Sequence, residues 1–303
     1  MMRTVLLGTS QEAVPTIDIL AGLTDLRAVI TRPDRPRGRG RAPAPPEGKV
    51  RAAERGIPVC QPATPAALDA AIAGMDLDLA VVVSYGMIVK AATLARTRLG
   101  MVNLHFSLLP RWRGAAPVER AILAGDDVTG VSLMRMDAGL DAGPVLAAWR
   151  TSIGEDEDAG ALSERLALGG AELLATHLGA LERGELEPAT QDHSLATWAP
   201  RLVVSEARLD FHQPAEQVVR AVRAFCPRPG AHTTWRGKRF KILRARPVPG
   251  RLEPGCLETY ENGVRVGTST GCLVLSTVQP EGRKAMDALA WLRGIKGDPG
   301  RFG

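Results

Sequence analysis

Apolar positions along the first 184 residues fall into two alternating rhythms. Short apolar runs, "TVLLG" (4–8), "LRAVIT" (26–31), "LAVVVS" (79–84), "MVNLH" (101–105) and "GVSLMRMD" (130–137), read as strands. The third is a continuous β-branched run, as expected of a strand covered on both faces. Helical stretches lie between the strands, over 11–22, 117–125 and 159–184. Strand and helix alternating in this way predict an α/β fold: a Rossmann-like, doubly wound and mainly parallel sheet over 1–184. Such a sheet holds its ligands at the carboxyl ends of its strands. The periodicity fails over 185–203, which predicts a linker. Beyond it, one helix (215–225) precedes Gly- and Pro-punctuated segments at 238–248, 255–260, 262–268 and 271–280. These predict a smaller OB-like β-barrel domain over 204–303.

Composition narrows the class. Hydrophobic residues make up 45% and charged residues 23%, the balance of a soluble globular chain, and aromatics at 4% imply an aliphatic core. No apolar run approaches 18 residues, so no membrane span is expected. The N-terminal "MMRTVLLGTS" enters a strand without a signal-peptide pattern. Four scattered cysteines without a CxxC pair argue against zinc and disulfides, and a reducing cytoplasm is the expected compartment. Net charge is +5, and the basic excess lies in residues 204–303. That excess suits either a polyanionic partner or a solvated surface.

The candidate chemistry sits in "NLHFSLLPRWRGAAP", residues 103–117. Asn103 and His105 stand two apart at the end of a strand, so both point to one face. Asp141 follows in "MDAGLDAGPV", a turn after the next strand. If the two strands are neighbours with converging carboxyl ends, an amide, an imidazole and a carboxylate meet in one cleft. The amide can stabilise an oxyanion, the imidazole can move a proton and the carboxylate can orient it. No Ser or Cys nucleophile is placed for a covalent intermediate, which favours direct transfer. By spacing alone the three residues could equally be hydrogen-bonded turn residues.

The stretch from Asn103 to Leu146 resembles the signature of the folate-dependent formyltransferases. Its pattern is Asn, one residue, His, one residue, Ser-Leu-Leu-Pro, then Asp 38 positions after the Asn. It is met at Asn103, His105, Ser107, Leu108, Leu109, Pro110 and Asp141. "LLGTS" is similar to the family's first strand and turn, and "VVVSYGMIVK" to the loop that holds the pterin ring. The resemblance therefore implies a folate site walled by Tyr85, Met87, Ile88, Val89 and residues 107–110. "VRAFCPRPGA" (222–231) and "VQPEGRKAM" (278–286) resemble the C-terminal domain of the tRNA-directed branch. Phe106, Cys226 and Arg228 depart from the common pattern. The implied reaction is formyl transfer from 10-formyltetrahydrofolate to the α-amine of initiator methionyl-tRNA. In it Asn103 would hold the formyl oxygen, His105 would polarise it and carry a proton, and Asp141 would order the imidazole. No metal and no obligate protein partner are expected.

Residues 32–41 carry five arginines amid Pro and Gly, a composition that builds no packed element. The segment resembles the inserted loop with which the tRNA-directed branch grips the acceptor stem, so Arg35, Arg37, Arg39 and Arg41 are expected tRNA contacts. Arg236, Lys238, Arg239 and Lys241 in "WRGKRFKI" would form a second basic platform, or simply the wet face of a strand. Three other readings remain: a formyltransferase for amino-sugar nucleotides or purine precursors, a hydrolase of the formyl donor, and a non-catalytic RNA-binding protein. Steep salt dependence of binding would favour RNA.

Overall fold

The computed structural model describes residues 1–36, 43–261 and 263–303. It divides into two compact units: Met1–Pro117, Val128–Ser152 and Ser163–Ala199 form one, and Val118–Asp127, Ile153–Leu162 and Pro200–Gly303 the other.

In the first unit the chain runs through β1 (Arg3–Gly8), α1 (Val14–Leu23), β2 (Asp25–Ile30), the two-residue strands β3 (Arg35–Pro36) and β4 (Pro43–Ala44), and α2 (Glu47–Glu54). It continues with β5 (Val59–Cys60), α3 (Pro65–Ala73), β6 (Leu79–Val83), α4 (Ala91–Leu94), β7 (Met101–His105) and β8 (Arg113–Gly114). Helix α5 (Pro117–Ala124) belongs to the second unit from Val118 on; back in the first come β9 (Val128–Arg135), β10 (Val145–Ser152), α6 (Ala159–Arg183) from Ser163 on, and β11 (Trp198–Ala199). Seven strands make one sheet in the order β10-β9-β7-β6-β1-β2-β5. Every residue of β6 is buried, as its unbroken "LAVVV" requires of a central strand. Val5, Leu7, Ala28, Ile30, Ala80, Val82 and Met101 cover one sheet face and pack against Leu68 and Ile72 of α3. Helix α3 starts where Thr64 accepts a hydrogen bond from the Ala67 N–H at 3.2 Å, with Pro65 at its first position. Truncating Ile72 to Ala would cost about 2–5 kcal/mol through the cavity it leaves.

The sheet is mainly parallel, as expected: the pairs joining β5, β2, β1, β6 and β7 are parallel, and β7–β9 and β9–β10 are antiparallel, which corrects the expected convergence of carboxyl ends. Val102 stands opposite Arg135 and His105 opposite Ser132, so the carboxyl end of β9 lies beside the start of β7. Converging carboxyl ends therefore do not bring Asp141 to His105. Strand β10 is not anticipated from the sequence: it is an edge strand whose apolar start, Val145–Trp149, has no fully buried residue and whose later positions alternate between exposed and half-buried. Finally, residues 185–199 are integrated in this unit, with β11 pairing parallel to β8.

The second unit holds α7 (Ala215–Ala224), β12 (His232–Trp235), β13 (Lys238–Val248), β14 (Leu257–Tyr260), β15 (Gly263–Gly267), β16 (Cys272–Pro280), β17 (Met286–Asp287) and α8 (Ala288–Arg293). Its sheet runs β12-β13-β16-β15-β14, with β17 on β16. The few aromatics concentrate here: Phe240 packs 4.5 Å from Trp291 and 5.0 Å from Phe302 between ring centroids. Val218, Val219 and Val222 of α7 complete that core. The expected OB-like barrel does not close by strand pairing among the described residues. Strands β12 and β14 end the sheet, and the C-terminal tail makes only single bridges to either side, Phe302 to Trp235 and Arg301 to Cys256. Too few tail residues run alongside these edges to form a ladder.

Candidate active site

Asn103 and His105 alternate with the buried Val102 and Leu104, so they share the sheet face of Met101. His105 is 5% exposed. Its Nε2 lies 2.8 Å from the Trp112 carbonyl oxygen, and its Nδ1 lies 3.7 Å from Asp141 Oδ2. Asn103 is partly exposed, and no side-chain hydrogen bond from it is found among the described residues.

Asp141 reaches this place by the loop between β9 and β10. Met136 donates its N–H to the Met101 carbonyl and packs on the face that carries Asn103, so the loop doubles back over that face. Asp141 has left-handed backbone, φ 49°. Its Oδ2 accepts the Gly114 N–H at 2.9 Å, and Gln191 Nε2 donates to the carbonyls of Asp141 (3.0 Å) and Gly143 (2.6 Å). A Cβ on Gly143 would fall on the Arg135 carbonyl oxygen, so only glycine lets the loop pass there.

Segment 107–110 is braced from both sides. Ser107 is buried and donates its hydroxyl to the Arg111 carbonyl at 2.6 Å. Ser132 Oγ donates to the Ser107 carbonyl at 2.8 Å and accepts the Leu109 N–H at 3.0 Å. The Leu109–Pro110 peptide is cis, and Leu108, Leu109 and Pro110 are half-buried. Arg113 is also buried, donating to Gln191 Oε1 at 3.0 and 2.6 Å and to His193 Nδ1 at 3.1 Å. Ser132, Gln191 and His193 are functional neighbours that escape sequence reasoning. Ser132 lies within an apolar run and the other two lie in a segment without periodicity, so no local pattern marks them.

Of the expected folate wall, Tyr85 and Val89 are buried and Met87 packs against the same core, whereas Ile88 is 81% exposed. Leu140, beside Asp141, is 61% exposed. Two large apolar side chains left in solvent at such loops suit a flat aromatic ligand. Among the described residues no group of three His, Cys, Asp or Glu could hold a metal ion. Arg35 is exposed in β3, while Arg37, Arg39 and Arg41 lie outside the described residues. In the second unit Arg236 and Gly237 both have positive φ and make the two-residue turn between β12 and β13. Arg236 lies over the Trp235 ring at 4.6 Å and donates to the Asp298 carbonyl. Lys238 is exposed, and Arg239 pairs with His232 Nδ1 at 3.1 Å. Lys241 is half-buried beside the Pro229 carbonyl. No helix among the described residues is long and apolar enough to cross a membrane.

The formyl transferase family model matches residues 2–178, and the model of its C-terminal domain matches residues 201–296. A methionyl-tRNA formyltransferase from Thermobifida fusca is 45% identical over 309 positions, spanning 100% of this chain and 99% of its own. Among solved structures, an N-formyltransferase from Helicobacter canadensis in complex with folinic acid and dTDP-3-aminofucose superposes with TM-score 0.70 at 18% identity. That match covers 92% of this chain and 100% of the other. HypX from Aquifex aeolicus, in complex with tetrahydrofolic acid, gives 0.68 at 19% identity, over 98% of this chain and 48% of that longer one. The last two establish likeness of fold, and the matches along the full sequence establish the rest: the chain belongs to the formyl transferase family, in the branch of the methionyl-tRNA formyltransferases.

Proposed function

We propose that this chain transfers the formyl group of 10-formyltetrahydrofolate to the α-amine of initiator methionyl-tRNA. The observation that supports the reading is the approach of Asp141 Oδ2 to within 3.7 Å of His105 Nδ1, on the strand whose same face carries Asn103. The bound donor supplies the electrophilic formyl carbon. Asn103, free of internal bonds among the described residues, donates its amide to the formyl oxygen as negative charge builds there. The attacking amine must be neutral, and an α-amino group titrates near pH ~8. His105 Nε2 is engaged with the Trp112 carbonyl, so Nδ1 and Asp141 remain to take the amine's proton, and Nδ1 can return it towards the departing folate nitrogen.

Ile88 and Leu140 suit the pterin by their apolar exposure and segment 107–110 by its bracing, while Tyr85, Met87 and Val89 pack in the core. In this reading residues 1–184 carry the chemistry. Arg35, Arg37, Arg39 and Arg41, together with Arg236, Lys238 and Arg239 of an OB-like C-terminal domain over 204–303, track the tRNA backbone. The compartment is the cytoplasm, where such a substrate is made. The test is formylation with charged initiator and elongator methionyl-tRNA, uncharged tRNA and no tRNA, read by the shift to the formylated species. Formylation of the initiator species alone is the expected result. Loss of the formyl donor without tRNA would make the chain a hydrolase and sink the reading.

A further inference from the structure

Arg32 opens the basic segment but is not dressed like a surface arginine. Its Nε and Nη1 are buried without a hydrogen-bond partner, and no ion pair of Arg32 is found among the described residues. Two guanidinium nitrogens buried without a partner are costly, and the cost is recovered when an anion arrives. Beside it, Tyr85 is 2% exposed and its hydroxyl is also buried without a partner. Burial pushes that hydroxyl up to about 12, against the nearby Arg32 charge, so it remains a neutral donor at physiological pH.

Thr9 ties the two together. Its hydroxyl donates to the Tyr85 carbonyl at 2.9 Å and accepts the Arg32 N–H at 3.3 Å. Thr9, Arg32 and Tyr85 follow the carboxyl ends of β1, β2 and β6, with β1 in the middle. There the strand order turns, β2 and β5 to one side and β6 and β7 to the other, which is where open α/β sheets receive ligands. From β2 to β7, which carries Asn103 and His105, is three strand spacings, roughly 14 Å. An aminoacyl nucleotide met by an arginine arm spans such a gap between its amine and its phosphate.

We propose that Arg32 and the Tyr85 hydroxyl receive the 5′-phosphate of the acceptor's terminal nucleotide, which sets the amine at Asn103 and His105. The proposal rests on the methionyl-tRNA reading. It gives the Tyr85 hydroxyl to the acceptor side and leaves 87–89 to the folate. A carboxylate of the folate tail is the other anion in the reaction. The phosphate is favoured because Arg32 opens a sequence run with Arg35, Arg37, Arg39 and Arg41, whose charge suits a polyanion.

The test compares two minimal acceptors, 3′-O-methionyl-AMP and 3′-O-methionyl-adenosine, with whole methionyl-tRNA as control. The intact enzyme should favour the phosphate-bearing fragment by about tenfold or more in kcat/KM, as expected of a charge-assisted hydrogen bond. Arg32→Met should bring that ratio near one and leave the KM for 10-formyltetrahydrofolate unchanged, and Tyr85→Phe should lower the ratio less. If the fragments turn over too slowly, a methylphosphonate at the terminal linkage of the tRNA serves the same purpose. It should impair the intact enzyme and not the Arg32→Met variant. An unchanged preference in Arg32→Met overturns the proposal, as does a raised folate KM with the preference intact. Failure of the intact enzyme on whole methionyl-tRNA would instead sink the functional reading itself.

Discussion

The Nε2 of His105 lies 2.8 Å from the carbonyl oxygen of Trp112. A carbonyl only accepts, so Nε2 carries a proton in both charge states of the ring, and Nδ1 is the exchanging nitrogen that faces Asp141. Nitrogen-15 NMR of the histidines should show His105 as the Nε2–H tautomer when neutral. An Nδ1–H tautomer would dissolve the division of labour in which Asn103 alone serves the formyl oxygen.

Asn103→Ala removes the oxyanion donor and little packing, because the side chain is only partly buried. Turnover should fall by about 10²–10³, with a small change in the urea midpoint. Normal turnover in a folded variant would remove Asn103 from the chemistry.

Gln191 binds the Asp141 loop through its Nε2 and the buried Arg113 through its Oε1. Gln191→Ala should cost about 1.5–3 kcal/mol, since a charged donor loses its acceptor. Gln191→Glu keeps an oxygen for Arg113 but loses the N–H groups that hold the Asp141 and Gly143 carbonyls. It should retain more stability yet still lose turnover. Equal kcat in Gln191→Glu and the unmodified chain would show that the loop does not need this brace.

Gly143→Ala drives a methyl group into the Arg135 carbonyl and must displace the Asp141 loop. A marked loss of kcat is expected in urea-stable protein, whereas Gly184→Ala, in open space at a helix end, should leave kcat intact despite its positive φ. Matching kcat values for Gly143→Ala and the unmodified chain would contradict the placement of Asp141.

Asp78 sits among hydrogen bonds from the Arg3 side chain, the Arg3 backbone and the Arg98 side chain, which hold its carboxyl well below the usual range. A carboxyl depressed in the folded state stabilises above its unfolded value and loses that contribution as pH falls towards the folded one. The stability gap between the unmodified chain and Asp78→Asn should thus be flat above about pH 4 and shrink below it. Urea titrations across that range check the sign, and a gap that widens on acidification would refute it.

Much of the first unit was legible in local pattern. Alternation put Asn103 and His105 on one face, and the unbroken apolar run of β6 announced a strand buried on both sides. The long helix over 159–184 was also legible, and it appears as Ala159–Arg183. Periodicity reports how each segment is buried, and these features depend on little else. It says nothing of strand direction or of partners far along the chain. Only the tertiary structure made β9 antiparallel to β7 and folded the following loop back over Met101. It alone brought Gln191, 50 residues on, to hold Asp141, and left Nε and Nη1 of Arg32 and the Tyr85 hydroxyl buried and unpaired beyond the carboxyl ends of the strands. Those are long-range hydrogen bonds and their absences, set by how distant segments exclude water from one another, and no local pattern encodes them.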